Sequence, residues 1–385
     1  MRPGRAAPGR TGAEGKAGNV ARKLKSDKVL FIATLLLVCT SIVMVYSASA
    51  VYAHERFGDD YRFVIRQALW VVLGLAALAV GMRIDYRTYR NDMFVYGMLG
   101  GVGLLLVAVL FAPAVNDAQR WLGVGGLGIQ PSELAKLACV LFTAMMLERR
   151  MHRIDDIRYS LSGIALVVGL VVALILKQPD FGTAASLLLI VGMMVFAAGL
   201  HFKYLVGAAV VGVPALVAVM MSASYRVRRW TSFWDPEADP TGGGYQMIQS
   251  MIAVGTGGLF GRGLTNGVQK LFYLPEPHTD FIYAVIGEEL GLLGASSVLI
   301  CFAVIAWRGL RIALRCEDPF GAMVALGITT MICAQAFINI SVVLALLPTK
   351  GIPLPLVSFG GSSLLVSLLA LGVLLNISQH ATAEA

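Results

Sequence analysis

Ten apolar segments separated by polar connections make up the chain after residue 28. Helices of about twenty residues are long enough to cross the ~30 Å hydrocarbon core of a bilayer. The pattern therefore predicts transmembrane helices near residues 29–52, 64–82, 93–113, 132–148, 160–176, 183–200, 203–222, 281–306, 320–346 and 361–378. The predicted fold is an all-α polytopic membrane protein with ten transmembrane helices and one long extracytoplasmic loop, residues 223–280, between helices 7 and 8.

The composition agrees with a membrane domain, here residues 29–378. Hydrophobic residues make up 57% of the chain and charged residues 14%, and a soluble domain could not bury so large an apolar fraction. Residues 1–28 carry no apolar stretch. They predict a disordered basic cytoplasmic tail and no cleavable signal. Residues 379–385 are expected to form a short second cytoplasmic tail.

Arginine and lysine alternate between rich and poor connections. Eight of the 31 lie in the first 28 residues, and connections 83–92, 149–159 and 307–319 each hold three or four arginines. The positive-inside rule places these on the cytoplasmic side, with both termini inside. The net charge of +8 is then explained by topology and by attraction to anionic lipid rather than by nucleic-acid binding. The five cysteines are scattered without metal-ligand spacing, and no disulfide is expected.

The remaining loops, on the predicted outer face, carry the dense polar motifs. Loop 223–280 is the longest, and a loop of that length in a compact fold is functional or disordered. Trp230, Trp234 and Tyr245, with an apolar segment at 247–254, favour packed or interfacial structure. No inverted repeat of the transporter kind is evident.

Asp280 ends the run Pro-Glu-Pro-His-Thr-Asp-Phe at the mouth of an apolar helix. It could simply cap that helix and complement its dipole. Glu288 and Glu289 are harder to explain in this way, because they lie about two turns into the apolar stretch. Adjacent acids there must face a cavity or cations, and at least one is expected to pair with a buried arginine or lysine.

Cations occur in three other outer loops. Ser132 is suited to an N-cap, and Glu133 and Lys136 are three apart, so they share a helix face. They could form a local ion pair, but a lysine inside an apolar run also needs an aqueous cavity or a partner. Lys177 ends an apolar helix and could extend its amine to the interface instead.

Residues 347–363 hold three prolines and three glycines, which argue against continuous helix. The stretch Gly360-Gly361-Ser362-Ser363 then starts a helix close to Lys350. A helix start offers free N–H groups to a phosphate or another anion, although a plain capped turn is the alternative. Cations and carboxylates converging outside the cytoplasm suit a lipid-linked anionic substrate, with a carboxylate acting as base on a hydroxyl.

These motifs resemble the SEDS family (shape, elongation, division and sporulation), which includes FtsW, RodA and SpoVE. The match covers the whole chain after the tail, and the FtsW branch is more similar than the RodA branch because of Pro-Thr-Lys-Gly at 348–351. Phe359 and Phe272 depart from the family pattern, where tyrosine and, in many division members, an acid are found. The most specific segments are MVYSAS at 44–49, QPSE at 130–133, KQPD at 177–180, PEPHTDFIYAVIGEELG at 275–291 and PTKGIPLPLVSFGGSS at 348–363.

The resemblance implies a peptidoglycan glycosyltransferase that polymerises lipid II, with Asp280 as the essential loop aspartate. It implies β-1,4 glycan strands and the release of undecaprenyl diphosphate, with cations stabilising the diphosphate and Glu133 and Glu288 orienting those cations. No cofactor is required by the motifs, and assistance by Mg²⁺ or Mn²⁺ is left open. The predicted substrate-binding residues are Arg120, Glu133, Lys136, Lys177, Glu288, Lys350, Ser358, Gly360, Gly361, Ser362 and Ser363.

The family also implies partners: lipid II and the growing glycan strand, a class B penicillin-binding protein (a transpeptidase) and other division proteins. The implied location is the bacterial cytoplasmic membrane at the division septum. The alternatives are a lipid II flippase, a RodA-like elongation polymerase and a structural scaffold of the division machinery. The dense polar motifs lie only in loops of the predicted outer face. This favours catalysis at that face over transport along a path through the membrane.

Overall fold

The computed structural model describes residues 26–113, 119–123, 128–154, 156–221, 224–240, 242, 244–349 and 351–381. This part of the chain is helical almost throughout. Its α-helices are α1 Lys28–Phe57, α2 Arg62–Arg83, α3 Asp92–Ala108, α4 Pro131–Arg150, α5 Ile157–Ser160, α6 Ser162–Lys177, α7 Phe181–Ala197, α8 Phe202–Met221, α9 Ser224–Trp234, α10 Tyr245–Gly257, α11 Ile282–Arg315, α12 Pro319–Val343 and α13 Gly361–Ala381.

Each of the ten predicted apolar segments coincides with one of these helices. Among the described residues, six helices are long and apolar enough to cross a membrane: α1, α2, α3 with its following 3₁₀ turn, α11, α12 and α13. The helices α6 and α7 are apolar but shorter. The helical membrane architecture is therefore confirmed, whereas a total of ten crossings stays a prediction.

Several helices differ by a few residues from their predicted limits, and α11 differs by more. Residues 307–315 were expected in a loop, but α11 continues to Arg315, because no helix-breaking residue occurs before Asp318 and Pro319 end the run. Likewise α13 continues to Ala381, three residues into the predicted tail. Residues 1–25 and 382–385 of the predicted tails lie outside the described residues.

Short-range capping sets several helix ends. Asp27 Oδ1 accepts a 3.0 Å hydrogen bond from the Leu30 amide at the start of α1, and Gly58 ends that helix in the left-handed conformation. Asp318 caps α12 in the same way, with Pro319 at its first position. The expected cap of α4 is corrected, since the helix begins at Pro131 and Ser132 lies inside it.

Part of the long loop 223–280 is packed against the helices, in agreement with the expectation of packed or interfacial structure. Within it, α10 lies against the first half of α11, and Ser250 Oγ donates a 2.8 Å hydrogen bond to the Val343 oxygen at the end of α12. The helix α11 is interrupted at Gly291, which has φ 66°. A Cβ at Gly291 would lie 2.3 Å from the Gly261 amide nitrogen, so only glycine lets the two backbones approach.

Ion pairs join several arginine-bearing segments at one end of the helix bundle. Arg308 Nη2 lies 2.5 Å from Asp27 Oδ2, and Arg90 Nη2 lies 2.5 Å from Glu148 Oε1. Asp280 precedes the other end of α11. Arg308 and Asp280 therefore lie toward opposite ends of α11, and which end faces the cytoplasm stays a prediction.

Candidate active site

Asp280 is half-buried in the turn before α11. Its main-chain oxygen accepts a 2.7 Å hydrogen bond from Nδ2 of Asn339 in α12, and the same Nδ2 donates to the Ile352 oxygen at 2.8 Å. The carboxylate lies beside Gly351, where a Cβ would come within 3.0 Å of Asp280 Oδ2. The α12 amide thus clamps the Asp280 loop to residues 351–352, and glycine leaves room for the carboxylate.

The two residues before Asp280 are held by the same neighbouring loop. The His278 oxygen accepts a 2.9 Å hydrogen bond from the Phe359 amide, and the Thr279 oxygen accepts one of 2.6 Å from Ser358 Oγ. The Ser358 hydroxyl also accepts from the Leu354 amide at 2.8 Å. Ser358, predicted to bind substrate, therefore positions the loop that carries Asp280.

Lys136 and Glu133 form the predicted ion pair in α4. Lys136 Nζ lies 2.9 Å from Glu133 Oε1, and both side chains are buried. Lys136 Nζ also donates to Gln335 Oε1 at 2.5 Å, and Gln335 Nε2 donates to the Pro353 oxygen at 3.1 Å. Gln335 lies one turn before Asn339 on α12, so both amides face residues 352–353. The ion pair is therefore connected, through one helix, to the loop that holds Asp280.

Two further outer loops are joined to each other. Arg120 donates from Nε to the Gln178 oxygen at 3.2 Å and from Nη2 to the Pro179 oxygen at 2.5 Å. Gln130 Nε2 donates to Asp180 Oδ2 at 3.2 Å. Arg120, predicted to bind a diphosphate, thus binds two main-chain oxygens in this state. Its guanidinium orders the turn between α6 and α7.

The helix start predicted as an anion site is buried inside the protein. Helix α13 begins at Gly361, whose Cα faces the Trp70 indole so closely that a Cβ would lie 2.1 Å from it. Ser362 Oγ accepts a 3.2 Å hydrogen bond from the Gln130 amide, and Ser363 is buried beside it. Lys350 lies outside the described residues, so its position near this helix start stays a prediction.

Glu289 confirms that an acid in α11 pairs with a buried cation. Its Oε1 lies 2.6 Å from Lys270 Nζ, and both side chains are almost fully buried. Ser47 Oγ of α1 donates to Oε2 at 2.6 Å, and the Thr265 amide donates to the same oxygen at 3.0 Å. This cluster fastens the loop before Asp280 to α1 and α11.

Glu288 has partners other than the predicted cations. Its Oε1 accepts a 2.8 Å hydrogen bond from the Val268 amide and lies 3.5 Å from Arg262 Nη1. The roles of Glu288 and Lys177 in substrate binding stay predictions. Lys177 is exposed at the end of α6, as expected for an amine that extends to the interface.

Sequence reasoning missed Gln335, Asn339 and Lys270. The two amides, four residues apart in an apolar helix, were a usable signal, since polar groups at such positions need partners. No such signal pointed to Lys270, because its partner Glu289 is 19 residues away along the chain. In the described part of the chain no three His, Cys, Asp or Glu side chains are grouped to hold a metal ion, and metal assistance stays an open alternative.

Comparison with known proteins identifies the family. The family of FtsW, RodA and SpoVE, described as "Cell cycle protein", matches residues 27–383. The chain belongs to this family. It is 43% identical over 358 residues to the "Probable peptidoglycan glycosyltransferase FtsW" of Geobacter metallireducens, covering 92% of this chain and 95% of that relative. It is also 43% identical to the stage V sporulation protein E of Bacillus subtilis, with 93% and 98% covered.

Solved structures of the family share the fold. A chain from a peptidoglycan synthase complex that coordinates polymerization and crosslinking matches with a TM-score of 0.77 and 31% identity, covering 94% of this chain and all of that one. The RodA of Thermus thermophilus matches with a TM-score of 0.69 and 27% identity, covering 94% and 99%. The SEDS resemblance seen in the motifs is thereby confirmed.

Proposed function

We propose that the chain is a peptidoglycan glycosyltransferase that polymerises lipid II into β-1,4 glycan strands. The observation that carries the proposal is the clamped Asp280. Its main chain is fixed by Asn339 of α12 while its carboxylate stays half-buried beside Gly351. The relatives' name supplies the reaction class, and the site has the carboxylate that such a reaction needs.

In the proposed reaction, the 4-hydroxyl of an acceptor N-acetylglucosamine attacks C1 of the N-acetylmuramic acid at the lipid-linked end of the donor. The C1–O bond to undecaprenyl diphosphate breaks, and the diphosphate leaves with the bonding electrons. Asp280 accepts the hydroxyl proton or holds the hydroxyl for attack. One in-line displacement inverts C1 and gives the β linkage without a covalent enzyme intermediate.

The cations of the outer-face segments would stabilise the negative charge of the leaving diphosphate. Lys136, Arg120 and Lys350 are the proposed groups, with Lys177 behind them. Lys136 is held by Glu133 and Gln335, so its charge is positioned before substrate arrives, which avoids reorganisation during reaction. Ser358, which donates to the Thr279 oxygen, and Gly360 with the buried Gly361, Ser362 and Ser363 at the start of α13 complete the proposed set of binding residues.

The proposed setting is the division septum, with the Asp280 end at the outer face of the cytoplasmic membrane and both termini in the cytoplasm. A class B penicillin-binding protein and other division proteins are the proposed partners. Support comes from the structural match to a peptidoglycan synthase complex and from the arginine-rich opposite end. Polymerisation would then be coupled to crosslinking by the partner.

A lipid II polymerisation assay tests the proposal. Wild type, Asp280→Asn and Glu237→Gln are each reconstituted with and without the cognate transpeptidase. Glu237 is an exposed acid in the same long loop, so its variant is the matched control. We expect Asp280→Asn to lose about 10²-fold or more, since proton transfer contributes roughly 10²–10⁴-fold, while Glu237→Gln stays at the wild-type rate. Polymerisation by Asp280→Asn near the wild-type rate would refute the assignment.

A further inference from the structure

A chain of aromatic rings leads outward from the Asp280 loop. His278 is 5% exposed. Its ring centroid lies 4.7 Å from that of Phe63 in α2 and 5.8 Å from that of Tyr52 in α1. Phe359, which hydrogen-bonds the His278 oxygen, lies 5.2 Å from Phe63. These contacts join the outer ends of α1 and α2 to the two loops that hold Asp280.

The same rings continue to the protein surface. Tyr52 contacts Phe272 at 6.2 Å, and Phe63 contacts Phe57 at 6.2 Å. Phe57 is 47% exposed and Phe272 is 52% exposed. We call Tyr52, Phe57, Phe63, Phe272 and His278 the aromatic platform. It runs from two residues before Asp280 to Phe57 and Phe272, which are partly exposed at the surface.

Charged groups cover part of this platform. The Arg56 guanidinium lies 5.4 Å over the Tyr52 ring and donates to the Tyr52 hydroxyl, and the Arg62 guanidinium lies 4.2 Å over the Phe57 ring. The last turn of α1 and the connection after it are mostly exposed and rich in charged residues, His-Glu-Arg-Phe-Gly-Asp-Asp at 54–60. A guanidinium group is costly to bury among acyl chains, so this end of the platform suits a polar neighbour rather than lipid tails.

A pyranose ring matches such a surface. Its axial C–H groups form an apolar, weakly positive face that stacks on the negative face of an aromatic ring, and its hydroxyl rim suits arginine and carboxylate neighbours. We propose that the aromatic platform binds amino-sugar rings of the glycan strand next to the reacting pair. This inference rests on the proposed function, since continuity with Asp280 selects a saccharide as the occupant.

Binding of a soluble saccharide tests the platform apart from catalysis. Full-length protein in nanodiscs is mixed with β-1,4-linked N-acetylglucosamine tetramer, and contacts are followed by saturation-transfer difference NMR. The test variant is Phe57→Leu with Phe272→Leu, which keeps apolar side chains and removes the ring faces. Phe111→Leu is the control, since Phe111 is an 85% exposed ring at the end of α3.

We expect the double variant to bind the tetramer about tenfold more weakly, a change of about 1.4 kcal/mol, because two ring contacts with the sugar are lost. The Phe111→Leu variant should bind like wild type, and the double variant should make shorter strands from lipid II. Equal tetramer binding by wild type and the double variant would overturn the proposal. A second result would also overturn it: the double variant binds the tetramer like wild type, but its melting temperature depends on anionic lipid where that of wild type does not. The two rings would then belong to the lipid interface.

The two proposals fail separately. If the protein binds the tetramer through these rings but makes no glycan, the platform proposal stands and the glycosyltransferase proposal fails. If the protein polymerises lipid II but binds the tetramer equally well without the two rings, the glycosyltransferase proposal stands and the platform proposal fails.

Discussion

A single amide nitrogen, Nδ2 of Asn339, donates a 2.7 Å hydrogen bond to the main-chain oxygen of Asp280. The same atom donates to the Ile352 oxygen at 2.8 Å. Two loops far apart in sequence are thus fixed to one point of an apolar helix. The position of the proposed catalytic carboxylate therefore depends on a residue of a neighbouring helix.

Replacing Asn339 by leucine should lower polymerisation by about 10²-fold, the cost expected when a reacting group shifts by about 1 Å. The loss of two hydrogen bonds should also reduce the free energy of unfolding by about 1–3 kcal/mol. Rates on lipid II and thermal unfolding in detergent measure both. The control is Phe337→Leu, an exposed position on the same helix. Wild-type rates in Asn339→Leu would contradict the positioning role.

Gly351→Ala should slow polymerisation by about tenfold with little change in melting temperature. The added methyl would lie 3.0 Å from Asp280 Oδ2, so the carboxylate must move by a few tenths of an ångström. Gly103→Ala, where a methyl meets open space, is the control and should leave the rate unchanged. If both variants polymerise equally fast, the carboxylate does not need the space beside Gly351.

Lys270→Met should destabilise the protein by about 3–5 kcal/mol, because it leaves the Glu289 carboxylate buried without its cation. The double variant Lys270→Met with Glu289→Leu should recover most of that loss. Chemical unfolding of wild type, the single variants Lys270→Met and Glu289→Leu, and the double variant gives the coupling free energy. Asp92→Ala, which breaks an exposed pair with Arg149, should change stability little. Additive effects of the two buried changes would rule out the pairing.

Lys136→Met should cost both stability and activity, since Glu133 loses its buried partner. Adding Glu133→Gln should restore stability, because no unpaired charge then remains. Polymerisation should stay low if Lys136 stabilises the leaving diphosphate. Thermal unfolding and lipid II turnover, measured on the same preparations, separate these effects. Recovery of activity in the double variant would assign Lys136 to structure alone.

His278 makes stability depend on pH. Burial lowers the pKa of its imidazole to about 4, from an ordinary value of 6.5. Between these values the unfolded state binds more protons, so stability is full above pH 6.5 and falls as the pH is lowered through this window. At pH 5 the loss should reach about 2 kcal/mol.

The variant His278→Phe keeps the ring and removes the titration. Its melting temperature should therefore fall less than that of wild type between pH 7 and pH 5. Glu276 and Asp280, the acids nearest in the loop, are present in both proteins and contribute equally. Parallel pH profiles would show that His278 does not titrate in this window.

Much of the helical framework was predictable because its signal is local. A run of about twenty apolar residues needs no partner information to be assigned as a helix in lipid. The same holds for the pair Glu133–Lys136, since residues three apart on a helix are neighbours. Local signals were weaker at the ends, and α11 ran nine residues beyond its predicted limit of 306.

Contacts between distant residues were not predictable. Glu289 was expected to meet a buried cation, but nothing in the chain indicated Lys270 or the hydroxyl of Ser47. Arg120 was assigned to a diphosphate from its charge, whereas the structure shows it binding the oxygens of Gln178 and Pro179. Each of these depends on how helices pack, which charge and hydropathy do not specify.

The sequence by itself determined that this protein is a helical membrane protein with polar loops gathered at one end. It also pointed to Asp280, because a carboxylate at the mouth of an apolar helix is unusual. Only the tertiary structure decided that Asn339 positions that carboxylate and that Gly351 leaves it room. Hydropathy is a sum over neighbours along the chain, whereas a hydrogen bond requires two atoms within about 3 Å, and packing alone brings them there.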